Sequence, residues 1–198
     1  MWTCILLTTT NQARLALRRY TLATCAAQPN GMNTHNARVP IGDAPIVVSE
    51  GGEWHVDMPE PPHDDPRWPR QCVCGYQFLD SEPWQLAHDR LYQRPDTGGL
   101  LTLRDTEPGM MWHAEWLLDC GWVGSDGRSL VVRLPDGGEW AIDAPSSTDG
   151  HWTRIGEAPL ITAHPSIASR KYHGWLTNGV LSDDIEGRTY PEWDARRT

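Results

Sequence analysis

Lysine is almost missing from this chain: Lys171 stands alone, and arginine supplies every other permanent positive charge. Phenylalanine is as scarce, with Phe78 the only one, against 11 tryptophans and 5 tyrosines. Tryptophan must therefore supply most of the bulky core volume, and each indole N–H then needs a partner. The pairing of scarce lysine with abundant Ala, Gly, Pro and Trp is what a GC-rich coding sequence produces, so the many arginines are not by themselves a functional signal. No apolar run approaches the roughly 20 residues of a membrane-spanning helix. The opening WTCILL is too short for a secretory leader and carries its arginines after the apolar stretch, which leads us to expect cytosolic assembly with reduced thiols. Basic residues are outnumbered, 17 against 26 acidic, for a formal charge of −9 and a pI near 5.3. That balance argues against non-specific nucleic-acid binding, which needs a basic face to neutralise phosphates. No HExxH, no G-x-S-x-G elbow and no glycine-rich loop with a lysine is present, so the common zinc-protease, esterase-elbow and phosphate-loop signatures are all absent.

What is present begins with a phrase written twice. GGEWHVDMP at 51–59 returns as GGEWAIDAP at 137–145, and DPRWPR at 65–70 is echoed by DGHWTR at 149–154. In each copy a β-branched run (PIVV, SLVVRL) leads into paired glycines, and an alternating strand (EWHVD, EWAID) leaves. The spacing predicts two β-hairpins with Trp54 and Trp140 turned inward, the glycines supplying the tight turn and the proline after each aspartate ending the strand. Duplication of a ββ unit and independent use of the same turn chemistry both account for the likeness.

Elsewhere the pattern predicts a strand at WTCILLTT and a helix through NQARLALRRYTL, capped by Thr10 with Ala13, Leu17 and Tyr20 inward. A second helix is expected in SEPWQLAHDRLYQ from the N-cap Ser81, with Trp84, Ala87, His88, Leu91 and Tyr92 at helical spacing. A third helical stretch is expected in EPGMMWHAEWLLDCGW, burying Met111, Trp112 and Trp116. Hairpins are predicted around PDTGG at 95–99 and at Asn178-Gly179. Residues 28–45 read as an irregular connection, and PEPPHDDPRWP as an extended proline-rich segment. The fold expected is α+β: a hairpin-rich antiparallel sheet with two or three helices on one face, in a single unit over 1–182 and a tail over 183–198.

The most specific chemical pattern is QCVCGYQF. Two thiolates one residue apart, followed by a glycine that lets the backbone turn, make half of a zinc site. Cys25 and His35, framing the irregular connection, are the expected second half, with Cys4, His63 and His88 in reserve. The predicted set is Cys25, His35, Cys72 and Cys74 holding structural zinc; the alternative is reduced cysteines lining a core. His63, Asp64 and Asp65 could ligate a catalytic metal, with Asp183 and Asp184 in addition, or be solvated linker. Cys120 has no recognisable histidine partner. Arg14, Arg18 and Arg19 could form a basic patch or a solvated face, and exposed tryptophans could stack on sugars or bases.

QCVCGYQF, GGLLTLRDTEPGMMWHAEWL, GRSLVVRLPDGGEWAIDAP and PSIASRKYHGWLTNGVL together resemble a family of uncharacterised proteins carried by actinobacterial phages. The likeness covers roughly residues 60–182. Members similar to this chain share a C-x-C-G-Y-x-F element, a TL-x-D-x-x-P-G-x-M-W segment and a W-x-I-D-x-P strand. The resemblance implies a phage source and a shared fold, and assigns no catalytic residue. The functional expectation is a non-enzymatic, capsid-associated or other virion structural protein, made in the host cytoplasm and contacting other protein subunits. An early phage protein binding a host factor or nucleic acid through a zinc-stabilised region, and a small metal-dependent hydrolase, are the alternatives.

Overall fold

Local alternation, more than helical period, governs how this chain folds. A computed structural model describes residues 1–25, 34–42, 47–50, 53–54, 58–145, 152–169 and 171–194. In chain order the strands are β1 (Trp2–Thr3), β2 (Ile5–Leu6), β3 (Thr8–Thr24), β4 (Thr34–Pro40), β5 (Val47–Glu50), β6 (Glu53–Trp54), β7 (Trp84–Gln93) and β8 (Leu100–Leu101). They continue as β9 (Met110–His113), β10 (Leu130–Arg133), β11 (Glu139–Ala141), β12 (Thr153–Ile155), β13 (Thr162–Ala168), β14 (His173–Thr177) and β15 (Val180–Leu181). Helical structure among the described residues is confined to 3-10 turns at Leu103–Asp105 and Glu115–Cys120 and one α turn, α1 (Pro191–Asp194).

The expected α+β architecture is thus corrected: the protein is mostly β-sheet, and no helix packs on a sheet face among the described residues. Each misread segment has a physical reason. In β3 Ala13, Leu15, Leu17 and Arg19 are buried at the two-residue period of a strand, and Ala16 is buried on the opposite face. Ala13 and Leu17 are four apart, a spacing shared by both periods, and an arginine at the fourth inward position hides the alternation. β7 carries apolar residues on both sides: Trp84 and Leu86 pack on one cluster, while Ala87 and Leu91 are buried on the odd-numbered side. Two apolar faces offset by one residue imitate i, i+3, i+4, i+7. Met110, Met111 and Trp112 form the interior strand β9, and only the following Glu115–Cys120 coils, ending at Gly121 with φ +74.

The chain divides into two compact units, Met1–Thr9 with Gln93–Thr198 (unit 1) and Thr10–Tyr92 (unit 2). In unit 1 one sheet runs β1-β15-β14-β13-β12 and another β11-β10-β9-β2. Their apolar faces share one core of Met111, Leu130, Val132 and Ile142 from the second sheet and Ala163, Ile167, Leu176 and Leu181 from the first. The N-terminal strand bridges both, β1 antiparallel to β15 and β2 parallel to β9. Gly109 (φ +89) permits this, because a Cβ there would lie 2.7 Å from the Thr3 carbonyl oxygen. Asp184 and Tyr190, in the segment expected as tail, are buried, and Tyr190 belongs to this core. In unit 2 the order is β6-β5-β3-β7, with β4 also paired to β3.

Both hairpins of the repeated phrase form. β5 and β6 pair with Glu50 opposite Glu53, whereas β10 and β11 pair with Arg133 opposite Glu139. The second turn is longer: the Gly137 N–H donates to the Leu134 carbonyl, and the Leu134 N–H donates to Gly138 back in the ladder. Trp54 and Trp140 are half-buried, each packed on the core of its own unit. Trp140 meets Trp152 edge to face at 5.4 Å, a contact worth about 0.5–1.5 kcal/mol beyond its burial. The remainder of the first strand, 55–57, lies outside the described residues. The Asn178-Gly179 hairpin forms as expected, both residues having positive φ (45° and 72°) between β14 and β15. The PDTGG turn closes through an Arg94 N–H donated to Gly99.

Candidate metal centre

Cys72 and Cys74 sit on a tight loop closed by its own backbone. The Gly75 N–H donates to the Cys72 carbonyl at 2.9 Å, the Cys72 N–H donates to Tyr76 at 2.8 Å, and Gln71 pairs with Gln77. Gly75 takes φ +95, a conformation that side chains resist, and this makes the turn after Cys74. The other half comes from the paired strands β3 and β4. Thr21 lies opposite His35 and Thr24 opposite Thr34, so β3 carries two extra residues there, and the chain enters Cys25 from this irregularity.

The four side chains converge. One ligand atom from each of Cys25, His35, Cys72 and Cys74 lies within 4.8 Å of every other. Cys25 Sγ is 3.9 Å from Cys72 Sγ, and Cys74 Sγ is 3.2 Å from His35 Nδ1. A tetrahedral ion with Zn–S bonds of ~2.3 Å and a Zn–N bond of ~2.0 Å sets sulfurs ~3.8 Å apart and sulfur and nitrogen ~3.5 Å apart. These two spacings are compatible with a Cys3His zinc site. Cys25, Cys72 and His35 are buried, and Cys74 is exposed. Phe78 packs against Cys25 and Cys72 in a small apolar cluster, bordered by Ala37 and Tyr76.

Tyr76 is the part of the site that sequence reasoning missed. Its ring lies flat on His35, centroids 4.1 Å apart and planes 9° apart, and holds the imidazole in place. Its hydroxyl donates to Glu82 Oε1 at 2.7 Å, and this bond to the carboxylate pushes the phenol above its ordinary value. Burial alone would raise Glu82, but the hydrogen bonds from Tyr76 and from the Leu79 N–H outweigh it and hold the carboxyl low. The signal was in the motif itself, an aromatic two residues after Cys74.

The reserve ligands do other work. Cys4 is buried in the unit 1 core, where burial pushes its thiol up to about 12. His63 stacks on Trp84 at 4.6 Å and His88 on Trp54 at 5.8 Å. Asp64 is exposed, and Asp65 closes its own turn by accepting from the Arg67 N–H and guanidinium, which hold its carboxyl down to about 2. The His63–Asp65 run therefore forms no metal cluster among the described residues. Asp183 pairs with the N-terminal amine, Asp184 is buried, and Cys120 is exposed at the end of its 3-10 turn. Arg14 is exposed, but Arg18 stacks on Tyr20 and Arg19 is fully buried over Trp84, so the three do not form one basic face.

Comparison with protein-family profiles, with curated proteins and with solved structures gives no match for this chain. No helix among the described residues is long and apolar enough to cross a membrane.

Proposed function

We propose that this chain is a phage protein that acts through its surface, as a capsid-associated or other virion structural component, and that a structural zinc on Cys25, His35, Cys72 and Cys74 fastens unit 2. The observation that carries the metal reading is the set of four ligand atoms within 4.8 Å of one another: four protein ligands are the number a structural zinc takes, which would leave no position for water or substrate. The ion would join the end of β3 and the start of β4 to the loop at 72–75, elements far apart in sequence. The surface role rests on the acidic balance, on the phage-like motifs and on the outward tryptophans Trp116 and Trp175, 52% and 42% exposed. Nucleic-acid binding through Arg14–Arg19 is disfavoured because Arg19 points into the core.

The test is twofold. Elemental analysis of protein purified without added metal should return one zinc per chain, and mass spectrometry of purified particles should detect the polypeptide in stoichiometric amount. Zinc-free protein of unchanged stability would remove the staple. Particles lacking the chain would remove the virion role.

A further inference from the structure

Unit 1 contains a second constellation, built from residues that no sequence motif connects. Ser166 Oγ lies 3.2 Å from His173 Nε2, and His173 Nδ1 lies 3.1 Å from Glu186 Oε1. An ionised carboxylate only accepts, so Nδ1 carries the imidazole proton and Nε2 offers its lone pair to the Ser166 hydroxyl. That is the order of groups in a serine nucleophile, its general base and the acid that orients the base.

We propose that Ser166, His173 and Glu186 form an acyl-transfer site that accepts small, unhindered esters. Three observations support this assignment. First, β13 advances from Ala163 to Ile167 while β14 advances only from Leu176 to Gly174, so residues 164–166 fall outside the regular register. Irregularities of this kind re-aim side chains and occur beside active sites. Second, one enclosed carboxylate anchors the backbone of both partners. Asp184 accepts the His173 N–H at 2.9 Å and the Glu186 N–H at 2.8 Å, and it is held in turn by the Tyr190 hydroxyl at 2.8 Å and by Arg188 at 3.2 Å. Arg188 also pairs with Glu186. Third, the site is open: the His173 side chain is 30% exposed, and Trp175, on the same outward side of β14, offers an apolar surface for an acyl chain.

The step balances without any redox partner. Ser166 Oγ attacks the ester carbonyl carbon as its proton passes to His173 Nε2. The ester C–O bond then breaks, and the leaving alkoxide takes that proton. Water, deprotonated by the same nitrogen, attacks the acyl-serine, releasing the carboxylic acid and restoring the hydroxyl.

This inference adds an activity to the surface role and rests on different residues in the other unit, so the two stand or fall separately. A fluorophosphonate probe, which forms a stable phosphonyl-serine with loss of fluoride, tests it on the full chain by intact-mass and peptide analysis. A single adduct at Ser166 is expected, absent in Ser166→Ala, slowed about a hundredfold in His173→Asn and about tenfold in Glu186→Gln. p-Nitrophenyl acetate should give a burst that follows the same order. No adduct at Ser166, or an adduct that forms equally fast in His173→Asn or in heat-unfolded protein, overturns the assignment. Should His173→Asn fail to fold, the outward Glu186→Gln decides: an unchanged rate there rejects the relay.

Discussion

Replacing Cys25 with serine is the sharpest test of how unit 2 is held together. Cys25 and Cys72 are 47 residues apart in sequence, yet their sulfurs are 3.9 Å apart. Treated as a crosslink, a bridge across that separation removes unfolded-state entropy worth about 4 kcal/mol. Wild-type protein treated with a strong chelator should lose about this much stability, and Cys25→Ser should lose as much before any chelator is added. The assay is hydrogen exchange read on peptides covering 10–25, 34–40 and 71–78, since a global melt would average over both units. Protection there should fall in both cases, while unit 1 peptides stay unchanged. Cys120→Ser, at an exposed site in unit 1, serves as the neutral control. Cysteine binds zinc as the thiolate, so apparent zinc affinity should fall as pH is lowered. Exchange in 71–78 that does not respond to chelator in zinc-loaded wild type would refute the crosslink reasoning.

Three further outcomes follow from packing and charge. Burial opposes ionisation of Asp184, but the His173 N–H, the Tyr190 hydroxyl and its other donors win and hold the carboxyl down to about 2, below its ordinary 3.8. Its contribution, at most about 2 kcal/mol, is complete above pH ~4 and is lost as pH falls toward 2, so Asp184→Asn should flatten the acid limb of a stability–pH curve. Gly109→Ala forces φ +89 on a side chain and sets its Cβ 2.7 Å from the Thr3 carbonyl oxygen; a loss of about 2–4 kcal/mol is expected by denaturant titration of unit 1. Arg19 is fully buried, its guanidinium 3.4 Å from the Trp84 ring centroid, and burial lowers its pKa. Arg19→Met should lie within about 1 kcal/mol of wild type, whereas Arg19→Ala should cost about 3 kcal/mol, because the methionine keeps the volume and removes the desolvated charge.

Turns were legible because their chemistry is local. Asn178-Gly179 and Gly137 mark hairpins through backbone conformations that few other residues accept, and strands pair on both sides of each turn, as they do on both sides of the first glycine pair. Cys72 and Cys74 were legible for the same reason, two thiols and a glycine within four positions. The identity of β3 and β7 was not local. Ala13 and Leu17 satisfy a helix and a strand equally, and only pairing with β4, β5 and β7 selects the extended form that buries Leu15 and Arg19. The same pairing completes the metal set, since His35 reaches Cys74 by lying opposite Thr21 in the ladder, with Tyr76 stacked against its ring. Ser166, His173 and Glu186 carry no motif at all. Their meeting depends on an irregular ladder and on a buried aspartate that ties β14 to residues 186–190, information that a linear pattern does not hold.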